Sequence, residues 1–326
     1  MPLRVPLVTF RVGTSDWPNP HILLIIAVMK TILVFIDGLG WGPADTATNP
    51  LEAYGGEVFR LPVYRGEPVR ISHGGWATPV DAVLGVEGIP QSATGQTTLL
   101  AGVNAQGIIG KHLSGFPNEP LRHALLETSI LKVLTDGGLK ARFVNGYRPL
   151  FWELPRERQL TLSASTVANL AADLPFMTLD DVTAGRSVYH DFTNEELLRR
   201  EFDVPRREPV QAGRVLGRLH RDLDFSLYEY FLSDKAGHTG DHAAMEAELA
   251  KIDAFLTGLL EELAEDLAAG TLVLLTSDHG NLEDSTTRRH TTNPVPLLAW
   301  GDGAREFVEP LRGLDGVAGA IAARHG

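Results

Sequence analysis

The stretch Thr31 to Ile36 reads TILVFI and is closed by Asp37-Gly38. A continuous apolar run of this length, without polar alternation, describes a strand buried on both faces of a parallel sheet. Similar runs recur outward from it: Ala141 to Asn145 (ARFVN), Leu227 to Leu232 (LYEYFL), Thr271 to Thr276 (TLVLLT) and Pro296 to Trp300 (PLLAW). Most follow a helical stretch. The clearest helix runs from about Asp241 to Ala269, with Met245, Leu249, Ile252, Leu256, Leu259, Leu263 and Leu267 spaced by three and four and Gly270 ending it. Further helices are expected at Leu121 to Thr135, Ser165 to Asp173, Asn194 to Glu201 and Gln211 to Arg221. Strands alternating with helices predict an α/β fold, a doubly wound and mostly parallel sheet with helices on both faces.

Composition narrows the chemistry. The chain has 326 residues, 29 basic against 41 acidic, a net charge of −12, 11 His and no Cys. Without cysteine there is no disulfide framework, no thiolate nucleophile and no thiolate-bound zinc, so any metal must be held by His, Asp and Glu. A reducing, cytoplasmic location is expected. The acidic balance, with no basic run, argues against nucleic acid or an anionic membrane as partner and for a small-molecule substrate. Residues 1–28 hold four prolines before His21 and no amphipathic period, and read as a tail or a mis-called start. The alternative is an added edge strand from Ile22 to Val28, and the eight apolar residues from Ile22 to Met29 are too few to cross a bilayer.

The acids and imidazoles fall at strand ends. Asp37 closes the first strand, Asp234 follows the Leu227 run with His238 four residues on, and Asp278-His279 follows Thr271 to Thr276. His290 precedes the last strand. In an open parallel sheet the carboxyl edge is where ligands bind, so these ends deliver oxygen and nitrogen ligands to one cleft. Taken singly, a strand-end Asp is a helix cap and a lone His an ordinary residue; their coincidence points to a divalent-metal site. A second element, Gln91-Ser92-Ala93-Thr94-Gly95-Gln96-Thr97-Thr98, places hydroxyls at a helix start, either as a solvated first turn or as a nucleophile beside a metal.

With these motifs together, the chain resembles the metalloenzyme branch of the alkaline phosphatase superfamily, most closely cofactor-independent phosphoglycerate mutase and more distantly phosphopentomutase. The resemblance rests on Val34 to Gly38, Ala77-Thr78-Pro79 with Asp81, Ser92-x-x-Gly95, Asp234-Lys235-Ala236-Gly237-His238-Thr239-Gly240, Thr276-Ser277-Asp278-His279-Gly280-Asn281, and His290 to Pro296. It implies an alkaline-phosphatase-like core across residues 29–326 and two divalent ions, Mn or Zn. Asp37, Ser92, Asp278 and His279 would hold one ion, and Asp234, His238 and His290 the other. Ser92 is the implied nucleophile because the family's stands three residues before the motif glycine, with Thr94 as the fallback. The family often has His after that glycine where this chain has Gln96, which puts support for the nucleophile in question.

The expected activity is a metal-dependent phosphoester hydrolase working through a phosphoserine on a small phosphorylated substrate. A phosphomutase and a non-catalytic, metal-stabilised binding protein are the alternatives. Sulfatase chemistry is disfavoured because the Ser92 stretch lacks the Pro- and Arg-containing motif for formylglycine. Residues 152–207, rich in charge and Pro, are expected to form a small inserted lid, too small for the enclosed cavity a mutase needs unless a homodimer partner closes it. Lys111-His112, Arg148 and Lys235 are the only hints of phosphate recognition.

Overall fold

The computed structural model describes residues 29–326; the tail or edge strand considered for residues 1–28 lies outside them. Seven strands form one sheet: β1 (Lys30–Ile36), β2 (Val69–Arg70), β3 (Trp76–Val80), β4 (Ala141–Phe143), β5 (Phe225–Tyr230), β6 (Thr271–Thr276) and β7 (Val295–Gly301). Their order is β2-β3-β7-β6-β1-β5-β4. β4, β5, β1 and β6 run parallel, whereas β7, β3 and β2 are added antiparallel. The core of the sheet is therefore parallel and one flank is not.

Alternation along β1 shows why its sequence has no polar face. Ile32, Val34 and Ile36 enter one apolar cluster with the Pro209–His220 and His242–Glu262 helices, while Leu33 and Phe35 enter a second with the Ser92–Ala101 and Ala164–Ala171 helices. Both faces are covered, so the β1 side chains from Thr31 to Ile36 are removed from water.

Several expected boundaries move. The long helix ends at Glu262, and a separate turn covers Ala264–Ala268. The Leu121 to Thr135 stretch is two helices, Glu119–Thr128 and Ile130–Asp136, broken at Ser129. β5 ends at Tyr230, because Leu232 already opens the Leu232–Thr239 helix. β3 went unread as a strand: it carries Pro79, which is tolerated because β2 pairs only with Trp76 and Ala77, leaving an open edge there.

The stretch expected to be a lid divides in two. Its Ala164–Ala171 helix contributes Ala164, Val167 and Ala168 to the apolar core under the sheet. The later part forms a small cluster of its own around Val182, Tyr189, Leu197 and Val204, tied to β5 by the Tyr228 hydroxyl, which donates to the carbonyls of Tyr189 (3.1 Å) and His190 (3.2 Å). No helix of the described residues is long and apolar enough to cross a membrane.

Candidate metal centre and nucleophile

Three parallel strand ends deliver the acids. Asp37 follows β1, its backbone N–H bonded to the Tyr230 carbonyl at 2.8 Å and its carbonyl accepting from Ser233 Oγ at 2.6 Å. Gly38, at φ +72°, turns the chain against Asp234: a Cβ there would fall 2.6 Å from Asp234 Oδ1. Asp234 sits in the first turn of the Leu232–Thr239 helix and His238 in its last, so the i,i+4 spacing puts both on one face. Asp278 and His279 follow β6, both fully buried.

The Ser92–Ala101 helix starts at the same edge. Its second turn presses on Asp278, where a Cβ on Gly95 would meet the Asp278 carbonyl at 2.4 Å. That contact explains the Ser-x-x-Gly spacing: glycine lets the helix seat closely enough for Ser92, three residues earlier, to enter the cluster. Ser92 Oγ stands 3.0 Å from His279 Nε2. Thr94 is fully buried, donating to the Gln91 carbonyl at 3.0 Å and accepting from Leu113 N at 3.3 Å, so its hydroxyl is occupied in the helix start.

Around His279 Nε2 gather Ser92 Oγ, Asp37 Oδ1 at 3.3 Å and Asp278 Oδ2 at 3.5 Å. Asp37 Oδ1 and Asp278 Oδ2 are buried without a hydrogen-bond partner, as is His279 Nδ1. Buried carboxylate oxygens left unpaired are costly unless a cation satisfies them. Burial first, then the charges of Asp278, Asp234 and Glu229, pushes the Asp37 carboxyl well above the usual range. Burial and then Asp234 push Asp278 up to about 7. Burial, followed by the His290 charge, pushes His279 down to about 3, so this imidazole is neutral and its lone pair is available.

The second group lies alongside. His290 Nε2 is 3.4 Å from Asp234 Oδ1 and 3.2 Å from His238 Nε2, and His238 Nε2 is 3.2 Å from Asp234 Oδ2. Asp234, His279 and His290 also converge within 4.8 Å, and the rings of His279 and His290 stack at 3.7 Å, so the two groups are contiguous. Burial works against ionisation of Asp234, but hydrogen bonds from His290 and Asn281 and the histidine charges outweigh it and hold the carboxyl at about 2. All seven residues read from the sequence, Asp37, Ser92, Asp234, His238, Asp278, His279 and His290, are thus brought to one edge. Their mixed carboxylate, hydroxyl and imidazole donors fit divalent ions such as Mn or Zn.

Three residues outside the seven support them. Gln96 Nε2 donates to Asp37 Oδ2 at 3.2 Å, so the residue after the motif glycine supports a carboxylate rather than the serine. Asn281 Nδ2 donates to Asp234 Oδ1 at 2.7 Å. Glu283, fully buried, accepts from Gly40 N (2.9 Å), Asn281 N (2.7 Å), Asn293 Nδ2 (3.1 Å) and Thr291 Oγ1. It ties the loop after Asp37 to the loop carrying His290. The only signal was its position five residues after Asp278. Of the residues hinting at phosphate recognition, Lys235 Nζ lies 4.7 Å over the Phe231 ring, and His112 Nε2 bonds to the Val86 carbonyl at 3.0 Å. Asp81 caps Val83 and Leu84 in a loop.

Comparison with known proteins agrees with this architecture. Residues 212–326 match the model of the Metalloenzyme superfamily. Over 166 residues, 47% of this chain and 32% of the relative, the sequence is 39% identical to a 2,3-bisphosphoglycerate-independent phosphoglycerate mutase of Natronomonas pharaonis. Over 82 residues, 24% of this chain and 16% of the relative, it is 39% identical to the enzyme of that name in Haloquadratum walsbyi. The chain spans a third or less of the length of these curated relatives. Among solved structures, an alkaline phosphatase from the Antarctic bacterium TAB5 superposes with a TM-score of 0.54 at 14% identity, covering 91% of this chain and 97% of that one. The PH0037 protein of Pyrococcus horikoshii gives 0.52 at 15% identity, covering 92% and 98%. The chain carries a metalloenzyme superfamily domain on an alkaline phosphatase-like fold.

Proposed function

We propose that the protein is a metal-dependent phosphoester hydrolase whose nucleophile is Ser92. The observation that carries this reading is the serine hydroxyl placed 3.0 Å from His279 Nε2, within the ring of Asp37 and Asp278 oxygens that have no other partner. Asp37, Asp278, His279 and Ser92 would hold one divalent ion, and Asp234, His238 and His290 a second. Bound there, the ions supply Lewis acidity, lowering the serine's pKa and offsetting charge on the phosphoryl group. The helix start at Ser92 adds the positive end of its dipole to the same place.

Attack forms a bond from Ser92 Oγ to phosphorus and breaks the ester P–O bond, and the serine's proton departs with the alcohol. Water then attacks the phosphoserine, releasing phosphate and restoring the Ser92 hydroxyl. This second step needs water at the site. The His238 side chain is 44% exposed and Ser92 is half-buried, which favours hydrolysis over a transfer that must exclude water. The names of the sequence relatives favour the second reading, a phosphomutase. Incubation with labelled 3-phosphoglycerate and a sugar phosphate, following free phosphate and positional isomers together, separates them. Isomers without phosphate release would overturn hydrolysis, and phosphate release across several esters supports it.

A further inference from the structure

Beside the metal-ligand loops lies a pocket of about 250 Å³ whose lining includes Trp41, Pro43, Glu52, Pro62, Tyr64 and Pro294. We propose that this pocket receives the planar ring of the substrate's leaving group, so that the preferred substrates are phosphoesters of aryl alcohols or nucleosides. The inference deepens the hydrolase reading and rests on it for the position of the phosphoryl group.

Position is the first argument. Trp41 lies four residues after Asp37, and Pro294 four after His290, so each wall is within about 14 Å of a metal ligand along the chain. Trp41 N–H donates to the Pro294 carbonyl at 2.7 Å, and Glu283 joins the same two loops through Gly40 and Asn293. The Trp41 and Pro294 side of the pocket is therefore tied to the loops that carry Asp37 and His290.

Its chemistry is the second. The rings of Trp41 and Tyr64 meet at 64° with centroids 6.1 Å apart, forming a corner rather than a stack, and both are half-buried. A corner of this kind accepts a third ring against either wall. Pro43, Pro62 and Pro294 stiffen part of the remaining wall, which also includes Leu61 and Val63, and so limit the conformational freedom lost on binding. The volume suits a single ring system rather than a drug-sized ligand. Glu52 lines the pocket and, although the Arg60 charge lies within its reach, its carboxylate makes no hydrogen bond or close ion pair with the described residues, so it can accept from an amino or ring N–H such as a nucleobase presents.

Two measurements test this. In the first, adenosine binding to the full-length, EDTA-treated protein is followed by equilibrium dialysis, which needs no turnover. Saturable binding weakened at least fivefold in Trp41→Ala and largely retained in Trp41→Phe is expected, since a stacked ring loses about that much or more on truncation to Ala. Absence of saturable binding by adenosine and, in the same assay, by phenol, or equal affinity in both variants, overturns the pocket assignment whatever the enzyme's activity. In the second, kcat/KM with Mn is compared for phenyl phosphate, adenosine 5′-monophosphate and glycerol 3-phosphate. The preference for each ring-bearing ester over glycerol 3-phosphate should fall at least fivefold in Trp41→Ala. Glu52→Gln should lower the preference for the nucleotide but not for phenyl phosphate if the ring is a base, and should lower neither if it is an aryl group. An unchanged preference in Trp41→Ala overturns the proposal; adenosine binding with no turnover of any ester overturns the hydrolase reading instead.

Discussion

The Nε2 atoms of His238 and His290 face each other at 3.2 Å, while Nδ1 of His238 is 2.8 Å from the Arg288 carbonyl and Nδ1 of His290 is 3.0 Å from the Pro90 carbonyl. A carbonyl oxygen only accepts, so both Nδ1 atoms carry protons. In the neutral rings the two Nε2 lone pairs then point at one another and at Asp234, an arrangement that a shared cation stabilises. Burial disfavours a charged His290, but Asp234 outweighs it and raises the pKa, so in the metal-free protein a proton occupies part of this role.

Two divalent ions per chain are therefore expected by elemental analysis of purified protein. His290→Ala and His238→Ala should each lose one ion, with affinity for it falling more than tenfold. Asn281→Ala, which removes the donor to Asp234 Oδ1, should cost about tenfold in affinity without removing a ligand. Stoichiometry near zero in the wild type would refute the centre.

Ser92→Ala should reduce turnover by about a thousandfold or more while retaining metal, because the nucleophile is lost and only one donor goes with it. Thr94→Val should act on stability instead, costing about 1–3 kcal/mol through the unpaired Leu113 N–H and the lost cap to Gln91. An inactive Thr94 variant beside an active Ser92 variant would shift the nucleophile by two residues.

Metal binding should be coupled to pH. In the metal-free fold the pKa values of Asp278 (about 7), Asp37 and His290 are raised, so above pH 6.5 these three groups bind more protons in the folded chain than in the unfolded one. The contribution of Asp278 to stability is lost as pH rises from about 4 through about 7, and that of His290 only above 6.5. Below 6.5, His279, held neutral down to about 3, has the opposite sign. The Tm of EDTA-treated protein should drop between pH 6.5 and 8, and the gain from adding Mn should be larger at pH 8, since binding displaces protons. An equal gain at both pH values would contradict this.

Glu283→Ala should destabilise the protein by about 3 kcal/mol or more, since four donors from three loop segments lose one acceptor. Affinity for both ions should fall with it, because Gly40 and Thr291 belong to the loops carrying Asp37 and His290. Chemical denaturation and metal titration of the same preparation test the two effects. Loss of stability with intact affinity would show that the loops hold their positions without this carboxylate.

The parallel heart of the sheet was legible in the sequence because β1, β5 and β6 are buried on both faces, and burial of that kind leaves no choice but consecutive apolar residues. The convergence of the candidate ligands was legible too, since acids placed just past such runs come to one edge by the geometry of a parallel sheet. What a linear reading lacks is the pairing of distant loops. β3 hid behind a proline tolerated only because its neighbour β2 is two residues long. Gln96, Asn281 and Glu283 acquired roles only through residues up to 243 positions away. The part of the expected lid that became core did so because Val167 and Ala168 found an apolar sheet face to cover. Local sequence determined which groups stand at the strand ends. Tertiary packing decided which oxygens lack a partner and which nitrogens carry protons, because both depend on the carbonyls and amides that folding brings alongside.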